Sequence, residues 1–240
     1  MGGIQRICAH STEQDKEHLR RQTQVLRARY DRLALLYDWV LTRGSPGSPG
    51  NGKNRNSNRQ DKRQCDAPWR RLLCRSAAGQ VLELGAGTGA NFPYYKPDVE
   101  LTAVDVSPRM LSLARRRAGH LVGPARFEVA DAQMLPFPAG TFDCVVSSFF
   151  FCTVPSPQAA LAEVMRVLRP GGQLLLLEHE RSHHPLLGLL LDAIAPVARL
   201  LVGDHPNRHT RQEVVRAGFT IEQEIPLWLD VVYFIRARRP

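Results

Sequence analysis

Between residues 80 and 177 the chain alternates short apolar runs with helix-start signals, and that alternation leaves few folds open to it. Val81-Leu82-Glu83-Leu84 is an apolar run that ends in glycines. Residues 101–105, 126–130, 142–148 and 173–177 repeat the pattern. Ser107-Pro108 and Ser156-Pro157 each read as a helix start, because a serine oxygen caps the first turn and proline gives up no needed N–H there. Strands that alternate with helices predict a parallel sheet covered on both faces. Residues 220–225 and 231–237 add two more strands. Thr210-Arg-Gln-Glu213 reads as a capping box before them, and Gly218 as a helix stop. The expected fold is therefore α/β, with a mostly parallel seven-stranded sheet.

Upstream, residues 18–41 carry apolar side chains at helical spacing, from Leu19 to Leu41, as one amphipathic helix or a pair. Residues 44–66 then lose nearly every large apolar side chain. Such a segment buries too little surface to offset its chain entropy, so it is expected to be a disordered, basic insertion. The chain thus divides into a helical cap (1–42), the insertion (43–66) and the main domain (67–240). The formal charge is +9, and residues 43–75 hold nine Lys or Arg against two Asp. That concentration argues against a whole-domain nucleic-acid platform, while leaving local contact with nucleic acid or an anionic membrane open. Five cysteines with no CxxC make a disulfide framework or zinc site unexpected, and no metal is predicted. No apolar leader and no spanning run is read, so an intracellular protein, cytoplasmic or peripheral to a membrane, is expected.

The chemistry concentrates at Glu83-Leu-Gly85-Ala86-Gly87-Thr-Gly89. A glycine turn after a buried strand lets a ligand approach the backbone closely. Many nucleotide folds have such a turn, so its context decides. Asp105 stands 22 residues after Glu83, at the end of the next strand. A carboxylate there can accept both hydroxyls of a ribose. Asp131-Ala132 follows at the end of the third strand. The turn lacks the Gly-Lys-Ser/Thr ending of a phosphate loop. Glu83 would repel a pyrophosphate but suits a cationic, amine-bearing ligand such as S-adenosylmethionine. Structural alternatives remain at this stage: Glu83 as a cap on a nearby helix, Asp105 as a charge before a helix N-terminus.

Five segments together resemble the class I S-adenosylmethionine methyltransferases, type 11 (ubiquinone/menaquinone methyltransferase-like). They are residues 81–89, 104–111, 131–137, 142–146 and 163–172. Residues 30–38 also resemble that group's N-terminal helix, which closes over the cofactor. The resemblance implies a Rossmann-like fold and S-adenosyl-L-methionine as cofactor. It implies Glu83, Gly85, Ala86, Gly87 and Gly89 around the methionine end, and Asp105 on the ribose. Val106 and Met110 would flank the adenine, with core packing an equal alternative for both. Asp131 would face the adenine amine and Ala132 would offer its backbone. Ser147 would sit where the fourth strand opens toward the transferred methyl, and Tyr30 near the sulfonium or simply in helix packing.

The acceptor end is read more coarsely. Ser147-Ser-Phe-Phe-Phe-Cys152 stands where amino-methylating nucleic-acid enzymes carry an Asn-Pro-Pro-Tyr-like clamp, which favours an apolar or small-molecule substrate near Phe149, Phe150 and Phe151, with core and helix packing an equal alternative for those three; Phe150 and Cys152 are candidate substrate contacts. Glu178-His179, an apolar stretch at 186–202 and His205-Pro-Asn207-Arg208 resemble a phospholipid- and alkyl-thiol-methyltransferase-like subgroup. His179 is the candidate proton acceptor, and Asn207 and Arg208 are candidate substrate contacts. The alternative for all three is a hydrogen-bonded lock between the fifth strand and the loop before Thr210. The expected activity is methyl transfer to a small or lipophilic acceptor: a thiol, amine, phenol or quinol-type carbon. The alternatives are an interaction or assembly factor on the same fold, or an RNA methyltransferase guided by the insertion.

Overall fold

A computed structural model describes residues 13–42, 67–121, 123–180, 208–228 and 231–240. The insertion at 43–66, the apolar stretch at 186–202 and Asn207 lie outside the described residues.

Helix α1 (Glu13–Thr42) is one unbroken helix of 30 residues. Thr23 and Ala34 are buried and Leu26, Tyr30 and Leu33 half-buried on its inner side, while Val25 and Leu35 face solvent. Helix α2 (Ala67–Ser76) opens the main domain. Helices α3 (Pro108–Arg117) and α4 (Pro157–Val167) begin at the two Ser-Pro signals. Ser107 Oγ accepts from Met110 N at 3.0 Å, and Ser156 Oγ from Ala159 N at 3.2 Å. Helix α5 (Thr210–Arg216) starts differently from its sequence signal. His209 is its N-cap and makes no side-chain cap bond, so the capping box does not form. A tertiary partner has replaced it: Glu180 Oε1 accepts from Arg211 N at 2.7 Å. Glu213 turns outward instead, to Gln158 and Arg216.

The seven strands are β1 (Gln80–Leu84), β2 (Glu100–Asp105), β3 (Ala125–Val129), β4 (Phe142–Ser148), β5 (Leu168–His179), β6 (Thr220–Trp228) and β7 (Val232–Arg238). They form one sheet in the order β3-β2-β1-β4-β5-β7-β6. All neighbours from β3 to β5 are parallel, and β7 runs antiparallel between β5 and β6. The mostly parallel α/β sheet expected from the alternation is thus observed. Each face carries its own core. Leu82, Leu84, Val145, Leu174 and Leu176 pack with Leu161 and Val164 of α4 and Val214 of α5. Val81, Val146, Leu175 and Leu177 pack with Leu73 of α2 and Leu111 of α3. The strand pleat sends alternate residues to opposite faces. Glu83 and Ser148 consequently fall on the α2 side, and Ser147 and Glu178 on the α4 side.

A candidate ligand cleft at the carboxyl edge of the sheet

Parallel strands end at one edge of the sheet, and in open α/β folds ligands bind beyond those ends. Here β1 delivers the glycine turn, with Gly85, Gly87 and Gly89 at φ of 61°, 54° and 81°. Side-chain-bearing residues are strained in that conformation. A Cβ on Gly85 would also lie 2.5 Å from the Phe150 ring, and one on Gly89 2.6 Å from Phe92. Gly87 meets nothing nearer than the Gly85 carbonyl oxygen at 3.9 Å, and it lines an open cleft. The cleft is open at its mouth and lined by small and apolar residues with a few polar side chains, the make-up of a small-molecule site.

Asp105, at the end of β2, lines this cleft. Its Oδ2 accepts from Gly87 N at 2.9 Å and its Oδ1 from Ser107 N at 2.8 Å. Burial pushes the carboxyl up to about 6, the two N–H groups pull it back, and nearby Asp31 raises it further. Asp131 lines the cleft after β3 and accepts from Thr23 Oγ1 of α1 at 2.8 Å. Asp31 of α1 accepts from Ser107 Oγ at 2.5 Å, beside Asp105. Helix α1 is therefore fastened next to both carboxylates, and Tyr30 between the fastenings lines the cleft.

Behind the turn lies a buried polar network. Glu83 accepts from Asn91 Nδ2 at 2.8 Å and from Tyr95 OH at 3.0 Å. Burial pushes its carboxyl up to about 7 against the pull of those bonds and of Arg70. Arg70 of α2 is buried yet lines the cleft. It donates from Nη1 to Asn91 Oδ1 at 2.8 Å and Ser148 Oγ at 3.1 Å, and its guanidinium lies 5.4 Å over the Phe149 ring.

The turn after β4 is held from two sides. Phe149 takes a positive φ of 52°, unusual for a bulky residue. Glu178 Oε1 accepts from Phe150 N at 2.9 Å and Phe151 N at 3.0 Å. From outside, Arg208 donates to Phe151 O at 2.6 Å and Val154 O at 2.7 Å.

Around the cleft the structure gathers Gly85, Ala86, Gly87, Asp105 and Val106. It adds Met110, Asp131, Ala132, Tyr30 and Phe150 from the same expected set. Gly89 packs on Phe92, outside the cleft lining, and Glu83 sits behind Asn91 and Tyr95. Ser147 departs from expectation: the pleat turns it to the α4 side, wholly buried against Glu178, and Ser148 takes the cleft position. Cys152 is buried as a thiol below the loop. His179 stands behind Phe149, with ring centroids 4.6 Å apart, so its ring meets the cleft wall rather than the cleft. Arg208 grips loop carbonyls, and Asn207 lies outside the described residues. Among the cleft residues that sequence reasoning missed are Arg70, Asn91, Ser148, Thr23 and Gln133. Ser148 was recoverable by counting the pleat. Arg70 was hidden in the basic run at 43–75, which the sequence offers only as a concentration of charge. Among the described residues no cluster of His, Cys, Asp or Glu suits a metal ion, and no helix is long and apolar enough to cross a membrane.

The donor set fits an adenosine-bearing, amino-acid-bearing ligand. Carboxylates at the ends of β2 and β3 suit hydroxyl and amine donors, and they oppose a phosphate. Residues 82–176 match a family model described as a methyltransferase domain. A phosphatidylethanolamine N-methyltransferase of Cereibacter sphaeroides is 37% identical over 126 residues, 50% of this chain and 62% of that one. The thiol S-methyltransferase TMT1B of Rattus norvegicus is 36% identical, over 63% of this chain and 66% of that one. The ubiquinone/menaquinone biosynthesis C-methyltransferase UbiE of Shewanella piezotolerans is 31% identical over 180 residues, 63% of this chain and 72% of that one. The chain spans just under two thirds of the length of the first two relatives. The crystal structure of the [4+2]-cyclase SpnF shares the fold, with a TM-score of 0.68 at 20% identity over 91% of this chain and 96% of that one.

Proposed function

The chain belongs to the methyltransferase-domain family, and on that premise we propose that it moves a methyl group from S-adenosylmethionine to a small or lipophilic acceptor. The observation that carries the reading is the pair of carboxylates, Asp105 and Asp131, flanking the open Gly85–Gly87 backbone. Asp105 would hold the ribose hydroxyls and Asp131 the adenine amine, with Val106 and Met110 beside the base. The methionyl end would lie by Gly85 and Gly87, with Asn91 and Tyr95 tying the buried Glu83 carboxyl in place behind them. When bound, the cofactor supplies a methyl group already activated on a sulfonium.

The chain's own task is then orientation and exclusion of water. Leu26, Tyr30, Phe149 and Phe150 give the cleft an apolar wall, and α1 covers it. Such a wall favours an acceptor with an apolar body. Relatives named for phosphatidylethanolamine, ubiquinone/menaquinone and thiols support that class. His179 would act on this wall through Phe149, and Arg208 through the loop carbonyls it grips. The basic stretch at 43–75 supports peripheral contact with an anionic membrane or nucleic acid; cosedimentation with anionic vesicles, weakened by salt, tests the first.

Calorimetry with S-adenosylmethionine and S-adenosylhomocysteine tests the central reading. Both should bind, and Asp105→Ala should weaken both by about 1.5–3 kcal/mol through loss of hydrogen bonds to a charged acceptor. A wild-type protein that binds neither overturns the reading and favours the interaction-factor alternative.

A further inference from the structure

Gln133 follows Asp131 on the turn after β3, and it is only 8% exposed. Its amide joins three elements. Nε2 donates to Thr23 Oγ1 of α1 at 3.0 Å and to Asp131 Oδ1 at 2.9 Å. Oε1 accepts from the backbone N–H of Ser156 at 2.8 Å. Thr23 closes the circuit by donating to the other Asp131 oxygen. Ser156 is the N-cap of α4, and the residues just before it, Thr153, Val154 and Pro155, line the cleft. One side chain thus touches the covering helix, a carboxylate lining the cleft and the end of the lining segment at 153–155.

An amide is the side chain that serves here. It offers two donors and an acceptor at once. A glutamate in the same place would lose both donors and set a second negative charge against Asp131. An apolar residue would strand the Ser156 N–H and the Asp131 oxygens without this partner.

We propose that Gln133 is a positioning residue that couples occupancy at Asp131 to the order of α1 and of the wall at 153–156. The coupling rests on the functional reading above. A donor from the ligand that settles on Asp131 fixes the carboxylate, and the fixed carboxylate fixes the amide. The amide then holds Thr23 on one side and Ser156 on the other. Ordering one arm lowers the cost of ordering the rest. The acceptor wall is thereby completed when the cofactor end is filled.

Hydrogen exchange with and without saturating S-adenosylhomocysteine tests this. In the wild type, exchange should slow at the glycine turn (85–89), on α1 (23–34) and at 151–160. In Gln133→Ala, slowing at 85–89 should persist while ligand-induced slowing at 151–160 and on α1 falls at least tenfold. Gln133→Glu should behave likewise. A merely structural residue would lower Tm and leave the ligand-induced differences in place, and that result overturns the coupling. Should Gln133→Ala fail to fold, Thr23→Val decides: it should lose the response on α1 and keep that at 151–160, and an unchanged response at both overturns the proposal. No slowing at 85–89 in the wild type overturns the functional reading, and the coupling falls with it.

Discussion

Glu83 is 1% exposed, and its hydrogen-bond donors, Asn91 and Tyr95, are both neutral. Burial therefore dominates and holds the carboxyl near 7, above its ordinary 4.5. The folded state binds this proton more tightly than the unfolded chain does. The group's stabilising contribution is thus fully present below about 4.5 and is lost as the pH rises toward about 7. At 1.36 kcal/mol per pH unit, that loss is on the order of 3 kcal/mol. Asp105 adds a term of the same sign between 3.8 and about 6. Glu83→Gln keeps the shape and one acceptor oxygen for Asn91, can turn its amide N–H to the Tyr95 hydroxyl oxygen, and cannot titrate. Thermal melts from pH 4.5 to 7.5 should show the wild type losing stability relative to Glu83→Gln as pH rises. Parallel pH profiles for the two proteins would contradict the buried, protonated Glu83.

The glycine turn separates two costs that a sequence motif lumps together. Gly85 and Gly87 both take positive φ, yet only Gly85 has a ring in the path of a Cβ. Gly87→Ala should cost about 1 kcal/mol of backbone strain. Gly85→Ala should add roughly 1–3 kcal/mol of overpacking against Phe150. Both should weaken S-adenosylhomocysteine, Gly87→Ala because its methyl projects into the cleft. Denaturant melts with calorimetry check the pair; equal destabilisation would mean that Phe150 moves aside freely. Elements of this kind were legible because their signals are local. Ser107 and Ser156 cap the helices their Ser-Pro pairs announce. Asp105 ends β2, where the spacing put it. The capping box at Thr210–Glu213 misled because its competitor, Glu180, lies 31 positions away from Arg211. Ser147 misled because a residue's face depends on strand parity, and a slip of one residue inverts it.

Across the whole molecule, the parallel half that builds the cleft and the C-terminal unit of α5, β6 and β7 meet at the end of β5. Glu178 anchors the cleft loop from inside the sheet, Glu180 caps α5, and Arg208 reaches from the segment before α5 back onto the loop. The sequence brings His179, Asn207 and Arg208 together as either a catalytic and substrate-binding group or a lock, but contacts between distant segments carry no local signal, and the pairing partners are not legible in it. The geometry distributes the roles. His179 stacks on Phe149 and supports the wall of the cleft. Arg208 grips two backbone carbonyls, of Phe151 and Val154, both from its Nη1. Arg208→Ala removes two charge-assisted bonds and leaves half-buried carbonyl oxygens, so it should cost about 2–4 kcal/mol. In a domain of this size that is a fall in Tm of roughly 5–15 °C. Arg208→Lys keeps the charge and an ammonium that can donate to both carbonyls from one nitrogen, so it should recover part of the loss. His179→Ala should cost only about 1 kcal/mol, the value of a lost ring contact. It should leave S-adenosylhomocysteine affinity near wild type while slowing methyl transfer by loosening Phe149. Thermal melts and calorimetry on the three variants decide the assignment. An Arg208→Ala protein as stable as wild type would show that the loop stands without its outer grip, and a His179→Ala protein destabilised by several kcal/mol would move the lock to His179.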